Sequence, residues 1–270
     1  MKKLDEYKKI LESHKQIIFQ GAPGTGKTRL AKQLARYIIK GEDEPKIEDI
    51  KDRVKLIQFH PGYSYEDFVR GIVAKEKDGK IVYKVEDKIL AEIAKKAKEN
   101  SDLEYILIID EINRANLSAV LGELIYALEY RDEAVESMYE NEEGDKNLVL
   151  PDNLYIIGTM NTADRSVGHI DYAIRRRFIF IDIKSDKSIL KDRGRELFEK
   201  VEKIFNDNLY SEFNIDDVMP GHSYFLEEDE SDLILEDKLV YQIKPLLMEY
   251  IKDGILKPGA EEAIENLLNS

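Results

Sequence analysis

The sequence has no cysteine and no tryptophan, and only 5 of its 270 residues are methionine. Without cysteine there can be no disulfide and no thiolate metal site, which is the composition expected of a chain kept inside the cell. Long hydrophobic runs are missing too: none approaches the roughly 20 residues of a membrane-crossing helix. The first residues, "MKKLDEYKKILESHK", are charged throughout and lack the apolar core of a secretory signal. The expectation is a cytoplasmic protein with no membrane contact. Positive charge is in deficit, with 41 Lys and Arg against 55 Asp and Glu, a net charge of −14. That balance argues against a nucleic-acid reader with a broad basic face, though not against a narrow basic lining in an assembled pore. Repeats, low-complexity tracts and Pro/Gly-rich linkers are also lacking.

What is present is a core. Apolar residues make up 43% of the chain, enough for a globular fold, and the length allows one large domain or two smaller ones. Five short runs read as strands: "QIIFQ" (16–20), "VKLIQF" (54–59), "YILIID" (105–110), "LYIIGT" (154–159) and "FIFIDI" (178–183). Most are continuously apolar, as strands covered on both faces by helices are. After the first, Leu30, Leu34 and Ile38 recur at helical spacing; after the third, Leu117, Val120, Leu121, Leu124, Ile125 and Leu128 form one stripe. Alternating strands and helices imply an α/β fold with a parallel sheet. Beyond residue 184 the strand signal gives way to amphipathic stretches at 189–210, 233–251 and 261–268. The expected organisation is an N-terminal linker helix over 1–14, an α/β domain over 15–183 and a helical domain over 184–270. Within the α/β part, "GIVAKEKDGKIVYKVED" (71–87) alternates around Asp78-Gly79 and predicts a β-hairpin.

Two motifs carry chemistry. "GAPGTGKT" (21–28) follows an apolar strand and opens a helical pattern, the context a phosphate-binding loop requires. Its glycines turn backbone amides towards phosphate oxygens, and the helix N-terminus adds positive potential. Gly21, Ala22, Pro23, Gly24, Thr25, Gly26, Lys27 and Thr28, with Arg29 after them, are the candidate nucleotide-binding set. Lys27 would reach the β- and γ-phosphates and the Thr28 hydroxyl would bind Mg²⁺. In "ILIIDEINRAN" (106–116) four apolar residues run into Asp110 and Glu111 at the C-terminal edge of a buried strand, where ligands bind in open α/β sheets. Asp110 would hold the metal shell and Glu111 would orient and deprotonate the attacking water.

A third block, "MNTADRSVGHIDYAIRRRF" (160–178), puts dense polar residues after a buried strand. Asn161 is placed at another strand edge, where a neutral amide can hold the γ-phosphate and the water. Arg175, Arg176 and Arg177 end a short predicted helix (171–176) and suit a neighbour's site, as arginine fingers supplied in trans, the alternative being that one or two of them pair with acidic neighbours on the surface.

These motifs, and "MNTADRS…DYAIRRRF" above all, resemble the AAA+ domain of the McrB family, over nearly the whole chain from Lys15. The resemblance implies an AAA+ P-loop core with a five-stranded parallel sheet and a small all-α lid. It implies a GTP-hydrolysing, Mg²⁺-dependent motor that forms hexameric rings, is stimulated by a McrC-type nuclease subunit, and drives DNA translocation in a modification-dependent restriction system. Asn161 becomes the sensor that positions water, Asp164 and Arg165 belong to the signature loop, and Arg176 and Arg177 are the inter-subunit arginines. "GHSYF" (221–225) resembles the start of the family's lid, and His222 sits where related proteins place a nucleotide-sensing lid residue, although no arginine stands there. No nuclease site is evident, so DNA cleavage is expected to lie with the partner. The family's DNA-recognition domain precedes the AAA+ module, whereas here only residues 1–14 precede the first strand; DNA would be met through the assembled complex or a separate recognition domain.

Guanine selectivity has no residue-level basis: Asn-Lys-x-Asp is absent, and "NTAD" (161–164) is an accidental likeness. Base selection is referred to residues 14–18 and the lid, with ATP as the alternative nucleotide of a MoxR- or dynein-like remodelling protein or a slow assembly scaffold. Tyr63, Tyr65 and Phe68 read as aromatic packing, His60 as a turn residue, and the lysines of 93–100 as a solvated helix face.

Overall fold

The computed structural model describes residues 2–40, 50–141, 143–164, 170–227 and 235–268. They divide into two compact units, one comprising residues 1–19, 28–160 and 165–181, the other 20–27, 161–164 and 182–270. Among the described residues, no helix is long and apolar enough to cross a membrane.

The first unit opens with α1 (Lys2–His14), whose Tyr7 and Leu11 are buried, Tyr7 against Phe19 of the following strand. Then come β1 (Gln16–Gly21), α2 (Lys27–Lys40), β2 (Val54–Gln58) and α3 (Tyr65–Phe68). The hairpin β3 (Arg70–Lys77) and β4 (Lys80–Asp87) turns at Asp78-Gly79, as its alternation predicts. Next are α4 (Ile89–Glu99), β5 (Tyr105–Asp110), α5 (Leu117–Leu121), α6 (Leu124–Glu129), the short hairpin β6 (Ala134–Glu136) and β7 (Asn147–Val149), β8 (Leu154–Asn161), α7 (Tyr172–Arg175) and β9 (Ile179–Asp182).

The five-stranded parallel sheet has the order β2-β5-β8-β1-β9. Parallel register runs from Val54 opposite Ile106 to Gln58 opposite Asp110, and from Tyr105 opposite Leu154 to Ile109 opposite Gly158. Ile106, Leu107, Ile108 and Ile109 are buried, which is why the run reads as continuously apolar. The stripe over 117–128 is broken once: Gly122 adopts φ +52, so α5 and α6 are separate helices, yet Leu124 and Leu128 stay in the core.

Both hairpins are pinned at one residue. The buried Arg70 donates to Asp87 (2.6 Å) and to the carbonyls of Tyr139 and Asp145 (3.0 Å each). Phe59, Tyr63 and Phe68 pack together, the Phe59 ring centroid 4.7 Å from that of Tyr63 in a tilted pair and 5.3 Å from that of Phe68 edge to face. Tyr65 is buried and donates to Glu123 (2.5 Å); burial first, and then that carboxylate, hold its phenol well above its usual pKa. These aromatics are packing residues, as expected. His60 likewise fills the turn role, its Nδ1 accepting from Gly62 N–H (3.2 Å).

The second unit is helical, with α8 (Asp192–Asn208), α9 (Ile215–Val218), α10 (Leu235–Lys238), a π segment (Leu239–Ile243) leading into α11 (Lys244–Lys252), and α12 (Glu261–Glu265). Its own core centres on Phe198, Val201, Phe205, Phe225, Ile243 and Leu247. Loop residues 20–27 and the segment 161–164 group with these helices.

Candidate active site

In the α/β unit, five buried residues of β5 carry Asp110 to the strand's end. Its Oδ1 accepts two hydroxyls, from Thr28 (2.7 Å) and from Thr159 (2.5 Å). Thr159 in turn accepts the backbone N–H of Glu111 (3.2 Å), so one threonine on β8 fixes both acidic residues. Glu111 sits at φ +53, a left-handed conformation that costs a non-glycine residue about 1–3 kcal/mol and is found where surroundings enforce it for function. Its carboxylate is largely buried, with Arg114 Nε 3.7 Å away. A threonine hydroxyl beside a carboxylate is the hard oxygen donor set that suits Mg²⁺, so the residues present fit that ion.

In the helical unit, the loop after β1 is held by its own lysine and by a neighbouring turn. Gly24 and Gly26 both adopt φ +81. The Lys27 ammonium is buried and donates to the carbonyls of Gly21 (2.9 Å) and Ala22 (2.7 Å), and Thr25 donates to Ala22 (3.0 Å). The 3₁₀ turn His222–Phe225 grips this loop through backbone: Gly221 N–H donates to Pro23 (2.8 Å) and Ser223 N–H to Gly24 (3.0 Å). A Cβ on Gly24 would lie 2.6 Å from the Tyr224 ring, and one on Gly221 2.2 Å from the Gly24 carbonyl carbon, so glycine is required at both. The His222 Nδ1 accepts from Asp186 N–H (3.1 Å), and a Cβ on Gly26 would stand 3.5 Å from its Nε2. His222 is therefore beside the loop. Arg29 is exposed on α2. Asn161 closes β8, half-buried, and the half-buried Asp164 follows within the same unit; Arg165 lies outside the described residues.

The three arginines are held in three different ways. Arg175 lies over the Phe180 ring, 4.7 Å from its centroid. Arg176 is 62% exposed and reaches Glu129 Oε2 at 2.7 Å. Arg177 is only 10% exposed; it shares that oxygen at 2.9 Å and donates to the Ala173 carbonyl (2.7 Å). The segment is seated by the buried Gln16 amide, which donates to the carbonyls of Leu128 (3.0 Å) and Arg177 (2.7 Å) and accepts from Arg131 (2.5 Å). Burial lowers the Arg131 pKa to about 10. Asp171 caps α7 by accepting from Ile174 N–H (2.9 Å) and takes the Ser118 hydroxyl; the hydroxyl first, then the cap, hold its carboxyl below the usual range. Arg175 and Arg176 are both exposed, so exposure sets Arg177 apart from the other two, and the ion pair with Glu129 distinguishes Arg176 from Arg175.

Thr159, Gln16, Glu129 and the Gly221–Tyr224 backbone contacts were not singled out by motif. Thr159 had a signal, being a hydroxyl in the last turn of an otherwise apolar strand. Gln16 and Glu129 act through side chains whose partners are set by the fold, and the Gly221–Tyr224 contacts run through backbone groups that every residue possesses.

Residues 16–178 match the AAA domain (dynein-related subfamily). The chain is 39% identical over 271 residues to the type IV methyl-directed restriction enzyme EcoKMcrB subunit of Escherichia coli (strain K12), covering 92% of this chain and 56% of that protein. It is 26% identical over 276 residues to component YdiS of the type II restriction enzyme BsuMI of Bacillus subtilis (strain 168), covering 84% and 77%. The chain thus spans little more than half the length of the first of these relatives. A solved structure of a putative ATPase from Cytophaga hutchinsonii aligns over 97% of this chain and 67% of its own, at 16% identity and a TM-score of 0.41. With its phosphate loop, its paired carboxylates, the domain match over residues 16–178 and the 39% identity to the McrB subunit, the chain belongs to the dynein-related AAA family and is a nucleoside-triphosphatase domain of the McrB type.

Proposed function

We propose that the chain is the GTP-hydrolysing motor of a restriction complex acting on modified DNA. In this reading it works as a hexameric ring, stimulated by a McrC-type nuclease subunit that supplies cleavage. The observation that carries it is the 39% identity to a methyl-directed restriction subunit, over a stretch that includes the "MNTADRS" block. The α/β core spans 15–183, with α1 before it, and 184–270 serves as the lid.

Loop residues 21–27 would receive the triphosphate, with Lys27 leaving its loop carbonyls for the β- and γ-phosphates. Thr28 and Asp110 would hold Mg²⁺, which when bound neutralises charge on the phosphate oxygens. Glu111 takes the proton of the attacking water, and the neutral Asn161 amide orients that water without adding negative charge. Asp164 and Arg165 belong to the loop that follows the sensor, and His222 lies against the phosphate loop from the lid side. Arg176 leaves Glu129 for the γ-phosphate of the neighbouring subunit, an exchange between exposed partners that costs little. Arg177 stays behind, so Glu129 is never left unpaired, and it supports the finger rather than replacing it.

Replacing Arg176 with Ala tests the shared site. Turnover should fall about 10³-fold or more, the usual worth of an arginine finger, while nucleotide binding is kept. Mixing that variant with Lys27→Ala should restore part of the activity, because one of the two mixed interfaces pairs an intact loop with an intact finger. Absence of both effects removes the finger. Binding of GTP and ATP with a non-hydrolysable γ-phosphate, followed with assembly mass, tests the rest. Guanine preference and growth to a ring support the reading, whereas equal or ATP-preferring binding replaces it with an ATP-driven remodelling protein on the same fold.

A further inference from the structure

Asn161 ends β8, and the residue after it leaves the sheet with both polar groups committed. The backbone N–H of Thr162 donates to the Gly21 carbonyl at 3.1 Å, and its hydroxyl donates to the Asp217 carbonyl at 2.6 Å. Gly21 is the first glycine of the phosphate loop, and Asp217 lies in α9. Carbonyls at the end of so short a helix have no intrahelical partner, so the Thr162 hydroxyl satisfies a group that the helix cannot. Residues 20–27, 161–164 and 182–270 form one compact unit, so both bonds lie within a single unit.

We infer that Thr162 is the positioning residue of the sensor: its hydroxyl ties Asn161 to α9 and its amide ties Asn161 to the phosphate loop. The inference rests on the reading of Asn161 as the water-orienting amide. One trans peptide unit, about 3.8 Å from Cα to Cα, joins Thr162 to Asn161, so a shift at the tethered residue is passed directly to the sensor. A displacement of about 1 Å at a reacting group is worth about 10²-fold in rate. The cost of losing the tether therefore falls on the transition state, where water and γ-phosphate must align, and not on nucleotide affinity.

The bond also explains how the helical residues can act on chemistry without placing a side chain on the nucleotide. They hold the phosphate loop at the Pro23 and Gly24 carbonyls, through Gly221 and Ser223, and they hold the sensor segment at Thr162. Any rearrangement of α9 then reaches the sensor through one hydroxyl. Threonine serves here because its branched side chain has few rotamers, and the hydroxyl is presented with little entropy to lose.

Thr162→Val keeps the shape and removes the hydroxyl, while Thr162→Ser keeps the hydroxyl. The test compares both with the unaltered chain in single-turnover GTP and ATP hydrolysis, and in binding of the nucleoside diphosphate with Mg²⁺ and aluminium fluoride, a transition-state mimic that needs no turnover. Thr162→Val should lose about tenfold in rate and in affinity for the mimic, with diphosphate binding unchanged within about threefold, and Thr162→Ser should recover most of both. A purely structural role would lower the melting temperature and leave the preference for the mimic over the diphosphate untouched. That result, or a serine variant as impaired as valine, overturns the inference. Asn161→Ala run in parallel separates the two levels. If it abolishes turnover while Thr162→Val does nothing, the tether alone is wrong; if it leaves turnover intact, the sensor reading falls and the tether with it.

Discussion

Asp110 and Asn161 both close buried strands of one sheet, yet they are secured by opposite means. Asp110 is held through its own side chain, by the hydroxyls of Thr28 and Thr159 within the α/β unit. Asn161 sits where the chain passes into the helical unit, and its neighbour Thr162 is held by two backbone carbonyls, those of Gly21 and Asp217. In the roles proposed above, Asp110 as a metal ligand needs a fixed carboxylate. Asn161 as the sensor needs a fixed relation to the phosphate loop, which a backbone tether to that loop and a helix would provide. The difference teaches that the strand ends of one sheet can serve two mechanical roles, according to which unit the following residue joins.

The sharpest way to break the comparison is at Gly24, where the helical unit grips the loop. Alanine there must adopt φ +81 and place its Cβ 2.6 Å from the Tyr224 ring and 2.7 Å from the Ser223 hydroxyl. Left-handed backbone alone costs about 1–3 kcal/mol, and the overlap adds to it. Gly24→Ala should therefore weaken nucleotide binding about a hundredfold, measured by calorimetry, with the α/β core still folded by circular dichroism. Unchanged affinity would mean that the loop does not depend on the turn at His222–Phe225.

On the other side, Thr159→Val removes one donor from Asp110 and the acceptor of the Glu111 amide. A buried polar group left without its partner costs about 1–3 kcal/mol, so unfolding should shift by that much. Turnover should fall about tenfold as the two carboxylates loosen, with diphosphate binding little changed. If stability drops and turnover does not, Thr159 serves the fold only and the contrast with Thr162 disappears.

Much of the core was legible because its physics is repetitive. β1, β2, β5, β8 and β9 fall within two residues of the apolar runs that predict them; in β1, β5 and β8 burial on both faces leaves almost no polar positions to blur the signal, whereas the edge strands β2 and β9 are only partly buried. Asp110 was readable for the same reason: a carboxylate directly after four apolar residues must emerge at the strand's end. The hairpin of β6 and β7 was not, because three-residue strands are too short for alternation to register. Nor was the division of Arg175, Arg176 and Arg177 into a ring contact, an exposed ion pair and a half-buried brace. Three identical side chains in a row carry no mark of their partners, Phe180, Glu129 and the Ala173 carbonyl, which are set by the fold. The Thr162 tether was hidden most completely, since its acceptors are main-chain atoms 141 and 55 residues distant by sequence number.

The smallest effect separates the Asp217 carbonyl from the Asp217 carboxyl. Burial, then Asp182 and Asp216, raise the carboxyl's pKa above 3.8, and Lys184 offsets part of this. A folded-state pKa above the unfolded one means that the folded chain binds more protons between the two values. Stability contributed by this group is therefore highest when it is protonated, declines as pH rises through the folded pKa, and stays reduced above it. Asp217→Asn removes the ionisable group but keeps the carbonyl that Thr162 uses. The variant should match the unaltered chain near pH 3.8 and melt slightly higher at pH 7, with its hydrolysis rate unchanged. An equal offset at every pH would trace the effect to packing rather than to charge. A loss of hydrolysis would show that the carboxyl, and not only the carbonyl beneath Thr162, takes part in holding the sensor, and the clean assignment of that tether to main-chain atoms would have to be given up.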